Sequence, residues 1–175
     1  MELLQLFRPE NNLQSLRSQK QIPIRLRNLT NRSVDVIWIN YTGEYVKYSR
    51  LDHDNFVDIN TFETHPWIAI DADTKNRLLI DKKFVFLPKP WTEFVRDRFP
   101  NLPLEAMPAI NPRLPITITT PLLSLRYKTL LELRSYIKSI NDVDLLGLPK
   151  ELAHDLKLLI KERERFPDII CFHRR

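Results

Sequence analysis

Cysteine and glycine are scarce in this sequence, and each shortage excludes a class of protein. The 175 residues include one cysteine, Cys171, and two glycines. One cysteine forms no intramolecular disulfide, so the chain is not a disulfide-stabilised secreted scaffold and is expected in a reducing compartment. The glycine-rich loops that hold phosphates and dinucleotides need several glycines at fixed spacing, so a nucleotide site of that kind is excluded.

Signatures of catalysis, metal binding and membrane insertion are also missing. The sequence has no GxSxG, Walker A or HExxH pattern and no apolar run long enough to cross a bilayer. Cys171 and His173 supply only two of the four ligands of a structural zinc site. The formal net charge is +5, but basic residues are interleaved with acidic ones, which does not favour nucleic-acid binding. We therefore expect a binding protein without catalytic residues, cofactor or metal, whose partner is neither nucleic acid nor a membrane.

What the sequence does contain is a series of short apolar segments between residues 22 and 120. Their side chains alternate or occur in runs of two or three, separated by turns rich in asparagine and aspartate, and they predict strands at 22–26, 34–38, 68–70, 78–80, 84–86 and 116–118. This spacing predicts an antiparallel β-sandwich over residues 21–120, preceded by a flexible N-terminal segment at 1–20.

Proline interrupts the strand pattern between residues 88 and 115. Seven of the 13 prolines lie there, and we expect them to exclude a central strand and a long helix. The aromatic residues Trp91, Phe94 and Phe99 are spaced for one or two helical turns that pack on the sandwich. We predict a surface insertion at 88–115.

After residue 120 the apolar spacing becomes helical. Ser124 is a predicted N-cap, and the first helix carries a stripe at spacings of three and four residues, with its basic residues, Arg134 among them, largely elsewhere. The stripe consists of Leu125, Leu130, Leu133, Ile137 and Ile140. We expect an uncovered apolar face of this kind to need the β-domain or a partner.

A second helix is predicted to begin at Pro149 and to end near Pro167, after a short turn at 142–146. Its stripe is formed by Leu152, Leu156, Leu159 and Ile160. The predicted fold class is therefore α+β: a β-sandwich followed by a small all-α domain at 121–167 and a tail at 168–175.

Aromatic and polar residues cluster in two segments of the β part. Trp38 and Tyr48 come from the first segment, and Thr61, His65 and Trp67 come from the second. Aromatic walls with a few polar tips suit a pocket for a small ring that carries a hydroxyl group. Sandwich core packing is the alternative explanation for each residue alone. No serine, cysteine or acidic residue stands beside His65 in a recognisable catalytic arrangement.

Four motifs in this region resemble the β-domain of the von Hippel-Lindau tumour suppressor family in order and spacing. They are NYTGE at 40–44, THPWIAIDADT at 64–74, LLID at 78–81 and FVFLP at 84–88. The similarity covers residues 26–88 and resumes at 114–116. Members of this family are substrate receptors of a cullin-RING ubiquitin ligase. Their sandwich binds hydroxylated proline in hypoxia-inducible factor α, and their α-domain binds elongin C, which acts with elongin B.

The resemblance implies a hydroxyproline-binding site in this chain. The pocket aromatics fall on Trp38, Tyr48 and Trp67, and the pocket histidine falls on His65. The serine that bonds the ligand hydroxyl is replaced by Thr61, which keeps a hydroxyl but adds a methyl group. Asn60 stands where the family often has a second histidine, which implies a contact at the rim. These site residues are expectations from the family and not deductions from spacing.

The resemblance also implies an elongin C recognition box at the start of the first helix. Its positions fall on Ser124, Leu125, Thr129 and Leu133, with Thr129 in place of a cysteine. A threonine hydroxyl disfavours an apolar pocket unless it bonds back to its own helix, so we expect Thr129 to weaken elongin C binding. An ordinary amphipathic helix is the alternative.

The function implied is substrate recognition without catalysis. The chain would bind prolyl-hydroxylated hypoxia-inducible factor α, elongin C with elongin B, and a cullin scaffold, in the cytoplasm and nucleus. A β-sandwich interaction scaffold without hydroxyproline specificity is the alternative function.

Overall fold

Seven strands and four helices are assigned in the computed structural model, which describes residues 13–101 and 112–166. The strands are β1 (Gln21–Asn28), β2 (Val34–Ile39), β3 (Tyr45–Leu51), β4 (Phe56–Phe62), β5 (Trp67–Asp71), β6 (Arg77–Ile80) and β7 (Leu114–Thr119). The helices are α1 (Trp91–Arg98), α2 (Leu125–Tyr136), a 3-10 helix (Ile140–Leu146) and α3 (Lys150–Glu164). The predicted tail at 168–175 and residues 1–12 of the predicted N-terminal segment lie outside the described residues.

The strands form one nearly closed sheet in the order β3-β2-β5-β6-β7-β1-β4. Over the ranges that the structure describes, five of the six strand pairs are antiparallel and the pair of β1 with β7 is parallel. The prediction of an antiparallel sheet is therefore wrong for this pair. Parallel neighbours need a long crossover, and here the chain passes through all the other strands and α1 before it returns beside β1.

A single core inside the curled sheet receives side chains from every strand. In β1 the alternate residues Ile22, Ile24 and Leu26 are buried, as expected for a strand with one face on a core. The same cluster contains Val36 of β2, Leu51 of β3, Ile59 of β4, Trp67 of β5, Ile80 of β6 and Ile116 of β7. The two edge strands, β3 and β4, are thereby brought toward each other across the core.

Strands β2 and β5 are buried on both faces. Their inner side chains face the main core, whereas Ile37, Ile39, Ile68 and Ile70 form a second cluster on the outer face. Phe166, just after α3, covers that outer cluster, and its ring stacks on Tyr45 with the centroids 5.3 Å apart. The four consecutive apolar residues at 67–70 of β5 are typical of such two-sided burial.

Three local predictions need correction. Phe84–Phe86 was predicted as a strand, but only Phe86 pairs, through two 2.8 Å backbone hydrogen bonds with Trp67. Strands β3 and β4, at 45–51 and 56–62, were not among the predicted strands, because their half-exposed faces mix charged with apolar residues. Pro115 lies inside β7, a central strand, although proline was expected to exclude one there.

Pro115 is tolerated because β7 has two neighbours only along part of its length. Pro115 is opposite Arg25 of β1, whereas the pairing of β7 with β6 involves Ile118 and Thr119. Near its start, β7 therefore needs no hydrogen bond toward β6, and the missing N–H of proline costs little. Within the predicted insertion, α1 supplies the expected two turns, with Phe94 buried and Trp91 packed against the core.

The helical part has a small core of its own. Ser124 is the N-cap of α2, as predicted, and its side chain accepts a hydrogen bond from the Tyr127 backbone N–H at 3.2 Å. The predicted stripe residues Leu156, Leu159 and Ile160 of α3 are fully buried in a cluster that also contains residues of α2. The predicted turn at 142–146 is instead the end of the 3-10 helix. Ser139 and Asp142 form a capping box at its start, and Gly147 follows it with φ 62°.

Candidate functional site

Trp67 lies where the two edge strands of the sheet approach each other. Its indole N–H donates to the Thr61 hydroxyl on β4 at 2.9 Å, and its ring meets Tyr48 of β3 edge to face, with centroids 5.2 Å apart. Trp67 therefore contacts both edges of the nearly closed sheet. Three of the predicted pocket residues are brought together at this point.

Trp38 and His65 form the adjoining half of the site. Trp38 is directly opposite Trp67 in the pairing of β2 with β5, so the two indoles lie on the same face of the sheet. The His65 imidazole is 5.4 Å from the Trp38 ring, 5.4 Å from the Tyr41 ring and 5.0 Å from the Phe62 ring, measured between centroids. The predicted wall of aromatic residues with polar tips is thus present.

Asn60 lies on the opposite face of β4 from its neighbour Thr61, because side chains alternate along a strand. It is exposed, and its amide oxygen accepts a 3.3 Å hydrogen bond from the Arg113 guanidinium. A role of Asn60 at the rim of the site remains a prediction.

Residues 13–20 lie across the aromatic cluster and are hydrogen-bonded to it. Ser15 is buried: its hydroxyl donates to the Ile39 carbonyl at 2.6 Å and accepts the Trp38 indole N–H at 2.7 Å. These residues belong to the segment that was predicted to be flexible. From residue 13 onward the structure shows this segment in specific contact with the site.

Two hydroxyl groups meet the Nε2 atom of His65. Ser18 Oγ lies 3.1 Å from Nε2, Tyr41 Oη lies 3.2 Å from it, and the two oxygens are 2.7 Å apart. Burial lowers the pKa of His65 from its ordinary value, and a hydrogen bond to the Leu16 backbone opposes that shift. The imidazole is therefore held in its neutral form around pH 7.

The polar groups of the site are enclosed and satisfied within the protein. Thr61 is 1% exposed and His65 is 6% exposed. A hydroxyl that accepts one hydrogen bond, as Thr61 does from Trp67, still has its own proton to donate. A neutral imidazole can accept at one nitrogen. Thr61 therefore keeps one proton that it can donate, and His65 has one nitrogen that can accept, at the same aromatic cluster.

A second candidate surface lies on the outer face of α2. Leu125 is 80% exposed, Thr129 is exposed and Leu133 is partly exposed, and the spacing of four residues puts all three on one face. The predicted stripe is therefore divided: Leu130 and Ile137 are buried in the helical core, while Leu125 is not. An open groove of about 480 Å³ runs along this face, lined by Lys128, Thr129, Glu132, Leu133 and Tyr136.

Sequence patterns alone missed Ser15, Ser18, Tyr41 and Phe62 as residues of the site. Tyr41 and Phe62 stand inside the two segments that carried the prediction, so the clustering of aromatic residues was the available signal for them. No comparable signal marks the two serines, because only the tertiary structure brings residues 13–20 to the cluster.

Neither a metal site nor a membrane-spanning helix is found in the described ranges. No three His, Cys, Asp or Glu side chains there are grouped to hold a metal ion. None of the helices there combines the length and apolarity that a bilayer crossing requires. Cys171 and His173 lie outside these ranges.

Comparison with protein families gives a match that includes most of this site. Residues 13–93 match the family model described as VHL beta domain. The matched range begins with the segment that lies across the aromatic cluster, includes β1 to β6, and ends in α1. Proteins of that family are substrate receptors and not enzymes.

Proposed function

From the von Hippel-Lindau β-domain that residues 13–93 carry, we propose that this protein is the substrate-recognition subunit of an elongin–cullin ubiquitin ligase. Its ligand is a peptide of hypoxia-inducible factor α that contains 4-hydroxyproline. The β-domain binds the peptide, the helical part binds elongin C, and the other subunits carry out ubiquitin transfer. The protein is not a catalyst in this scheme.

The observation that carries the proposal is that a buried hydroxyl group and a neutral imidazole lie at the same aromatic cluster, Thr61 against Trp67 and His65 against Trp38. Thr61, fixed by the Trp67 indole, donates to the ligand hydroxyl, and His65 accepts from it. The rings of Trp38, Tyr48 and Trp67 supply apolar contact for the pyrrolidine ring.

The position of the cluster suits an extended peptide. Over the described residues, β3 pairs only with β2 and β4 only with β1, so both edges keep backbone groups available for another strand. Peptides commonly bind by adding a strand to such an edge. Tyr48 lies on one edge and Thr61 on the other, so a peptide at either edge passes the candidate site.

The outer face of α2 supports the second part of the proposal. The elongin C box is assigned to Ser124, Leu125, Thr129 and Leu133, and apolar exposure extends beyond it, to Leu122 just before the helix and to Tyr136 at its end. Leu122 and Tyr136 are 99% and 74% exposed. An apolar face of this kind on a small helical part is the feature expected of an obligatory partner surface.

Calorimetry with matched peptides tests the recognition function. A 4-hydroxyproline peptide from hypoxia-inducible factor α should bind about 10²- to 10⁴-fold more tightly than the proline version, because the plain peptide offers the buried Thr61 hydroxyl no acceptor and gives His65 no hydrogen bond. Thr61→Val removes only the hydroxyl and should erase most of that ratio. Thr117→Val makes the same change on β7 outside the cluster and should leave the ratio intact. Equal affinity of the wild-type protein for both peptides would refute the proposal.

One observation favours a second candidate, a β-domain interaction scaffold without hydroxyproline specificity. Thr61 and His65 are almost fully enclosed, and their polar atoms already have partners within the protein. In that case the cluster is structural packing. The two peptides would then bind equally or not at all, and Thr61→Val would affect only stability.

A further inference from the structure

We propose that Ser18 and Tyr41 determine how strictly the site discriminates a hydroxylated ligand from a plain one, an inference that rests on the proposed function. Both residues place a hydroxyl group at the His65 nitrogen that a ligand hydroxyl would use. They therefore satisfy His65 when the ligand has no hydroxyl, and they reduce the penalty for a plain proline.

Two hydroxyl donors lie within hydrogen-bond distance of one acceptor, the Nε2 atom of His65. Ser18 Oγ, Tyr41 Oη and His65 Nε2 form a triangle with sides of 2.7, 3.1 and 3.2 Å. Each hydroxyl carries one proton, and one of the two protons is used between the oxygens. The other proton is directed at the imidazole, and either residue can provide it.

The protonation state of His65 makes Nε2 the acceptor. Burial lowers the pKa of the ring, so it carries a single N–H near neutral pH. The hydrogen bond with the Leu16 backbone raises the pKa of His65 and so opposes the effect of burial. A carbonyl that accepts a hydrogen bond from a ring N–H has this effect. With Nε2 facing two hydroxyl groups, the N–H belongs on Nδ1 and the lone pair on Nε2.

The hydroxyl groups of Ser18 and Tyr41 can move while residues 13–20 keep their place. Ser18 is exposed and Tyr41 is 50% exposed, whereas the anchor of the segment, Ser15, is 3% exposed and bonded to Trp38 and Ile39. A hydroxylated ligand replaces one hydroxyl partner of Nε2 with its own. A plain ligand leaves the original partners in place, and His65 stays satisfied.

The double variant Ser18→Ala with Tyr41→Phe tests this inference. It removes both hydroxyl groups and keeps the aromatic ring. Affinity for the plain proline peptide should fall by about tenfold, because Nε2 is then covered without a partner. Affinity for the hydroxyproline peptide should change by less than about threefold, so the ratio should rise by about tenfold. Each single variant should raise the ratio less, since the remaining hydroxyl still reaches Nε2.

A matched control removes a serine and a tyrosine hydroxyl that do not contact His65. Ser49→Ala with Tyr45→Phe makes the same chemical changes on β3, where Tyr45 stacks on Phe166 and Ser49 meets a neighbouring carbonyl. This control should leave both affinities unchanged. An unchanged or lower ratio in the Ser18/Tyr41 variant would overturn the inference.

Nitrogen NMR of the free protein gives a second readout that needs no ligand. The wild type should show the proton of the neutral His65 ring on Nδ1, and a ring protonated on Nε2 would contradict the inference. The two proposals fail separately. Equal binding of both peptides by the wild type would refute the proposed function. Strong discrimination by the wild type that the double variant leaves unchanged would refute only the role of Ser18 and Tyr41.

Discussion

At the scale of single residues, the site is defined by polar groups that are each satisfied in apolar surroundings. Thr61 accepts from Trp67, Ser15 accepts from Trp38, and His65 meets two hydroxyl groups. A buried polar group left without a partner costs about 1–3 kcal/mol, so these pairings hold the cluster in one arrangement. The same cost gives the proposed site its power to detect a missing ligand hydroxyl.

His65 should make stability depend on pH. Burial lowers the pKa of His65 in the folded protein from its ordinary value of about 6.5. As the pH falls, His65 therefore binds a proton in the unfolded chain before it does so in the folded protein. More protons on the unfolded state mean that folding stability is lost as pH falls through this window. The free energy of unfolding, measured by urea titration, should therefore show a wild-type advantage over His65→Gln that shrinks between pH 7.5 and 5.5. A constant advantage would contradict this.

Thr129 illustrates how one hydrogen bond changes an expectation from sequence. Its hydroxyl donates to the Leu125 carbonyl one turn earlier, at 3.0 Å, so it does not enter a partner's pocket unsatisfied. Thr129→Cys should therefore change the affinity for the elongin B–C complex by less than about threefold, and not tighten it tenfold as an unpaired hydroxyl would require. Calorimetry decides between the two. Thr129→Val, which keeps the shape without the hydroxyl, serves as the comparison.

At the scale of elements, α2 has two apolar faces with different roles. Tyr127 and Leu130 face α3 and are buried, while Leu125 and Leu133 lie on the face with the open groove. A helix that is apolar on more than one side needs more than one neighbour. The structure supplies one of these neighbours within the chain.

Leu125→Asp should abolish capture of elongin C without unfolding the protein. Leu125 is 80% exposed in the free chain, so the substitution removes little internal packing, but a carboxylate buried unpaired in an apolar interface is strongly unfavourable. Co-purification with the elongin B–C complex measures the effect. Leu145→Asp is the control, since Leu145 is 84% exposed on the 3-10 helix and outside the assigned box. Retention of elongin C by Leu125→Asp would show that the box is wrongly assigned.

At the scale of the whole molecule, Arg134 joins the helical part to the sheet. It is 3% exposed, and its guanidinium donates to the Thr74 carbonyl at 2.9 Å, to the Asn76 side chain and to the Leu159 carbonyl at 3.4 Å. Thr74 and Asn76 belong to the β5–β6 turn, whereas Leu159 lies on α3. One side chain of α2 thus bonds both parts, and Arg77 of β6 adds an ion pair to Glu162 at 3.5 Å.

Arg134→Met should destabilise the protein by about 2–4 kcal/mol, because the apolar stem is kept while buried carbonyl groups lose a charged donor. Chemical unfolding measures the change. The control Arg126→Met breaks a surface pair with Asp155 and should cost less than about 1 kcal/mol. If the two variants were equally stable, Arg134 would not be the joint between the two parts.

Periodicity and composition along the chain were sufficient to predict many of the elements. Alternation of apolar residues predicted β1, β2, β5 and β6, and spacing of three and four predicted α2 with its Ser124 cap and α3 with its stripe. Clustered aromatic residues marked two segments, and the family resemblance assigned Trp38, Tyr48, Thr61, His65 and Trp67 within them to one site; the structure brings these residues together. These patterns can be read from the sequence because each arises from residues that lie near one another in the chain.

Contacts between residues that are distant in the chain leave no local pattern, and the folded arrangement alone reveals them. The parallel pairing of β1 with β7, the buried position of Arg134 and the location of Ser18 at His65 join residues separated by tens of positions. Arginine and serine are mostly surface residues, so their types predict exposure. Arg134 is buried here because carbonyl groups of two elements converge on it, and Ser18 meets His65 because Ser15 anchors its segment to β2. Which partners satisfy a polar group is fixed by the folded arrangement and not by local sequence.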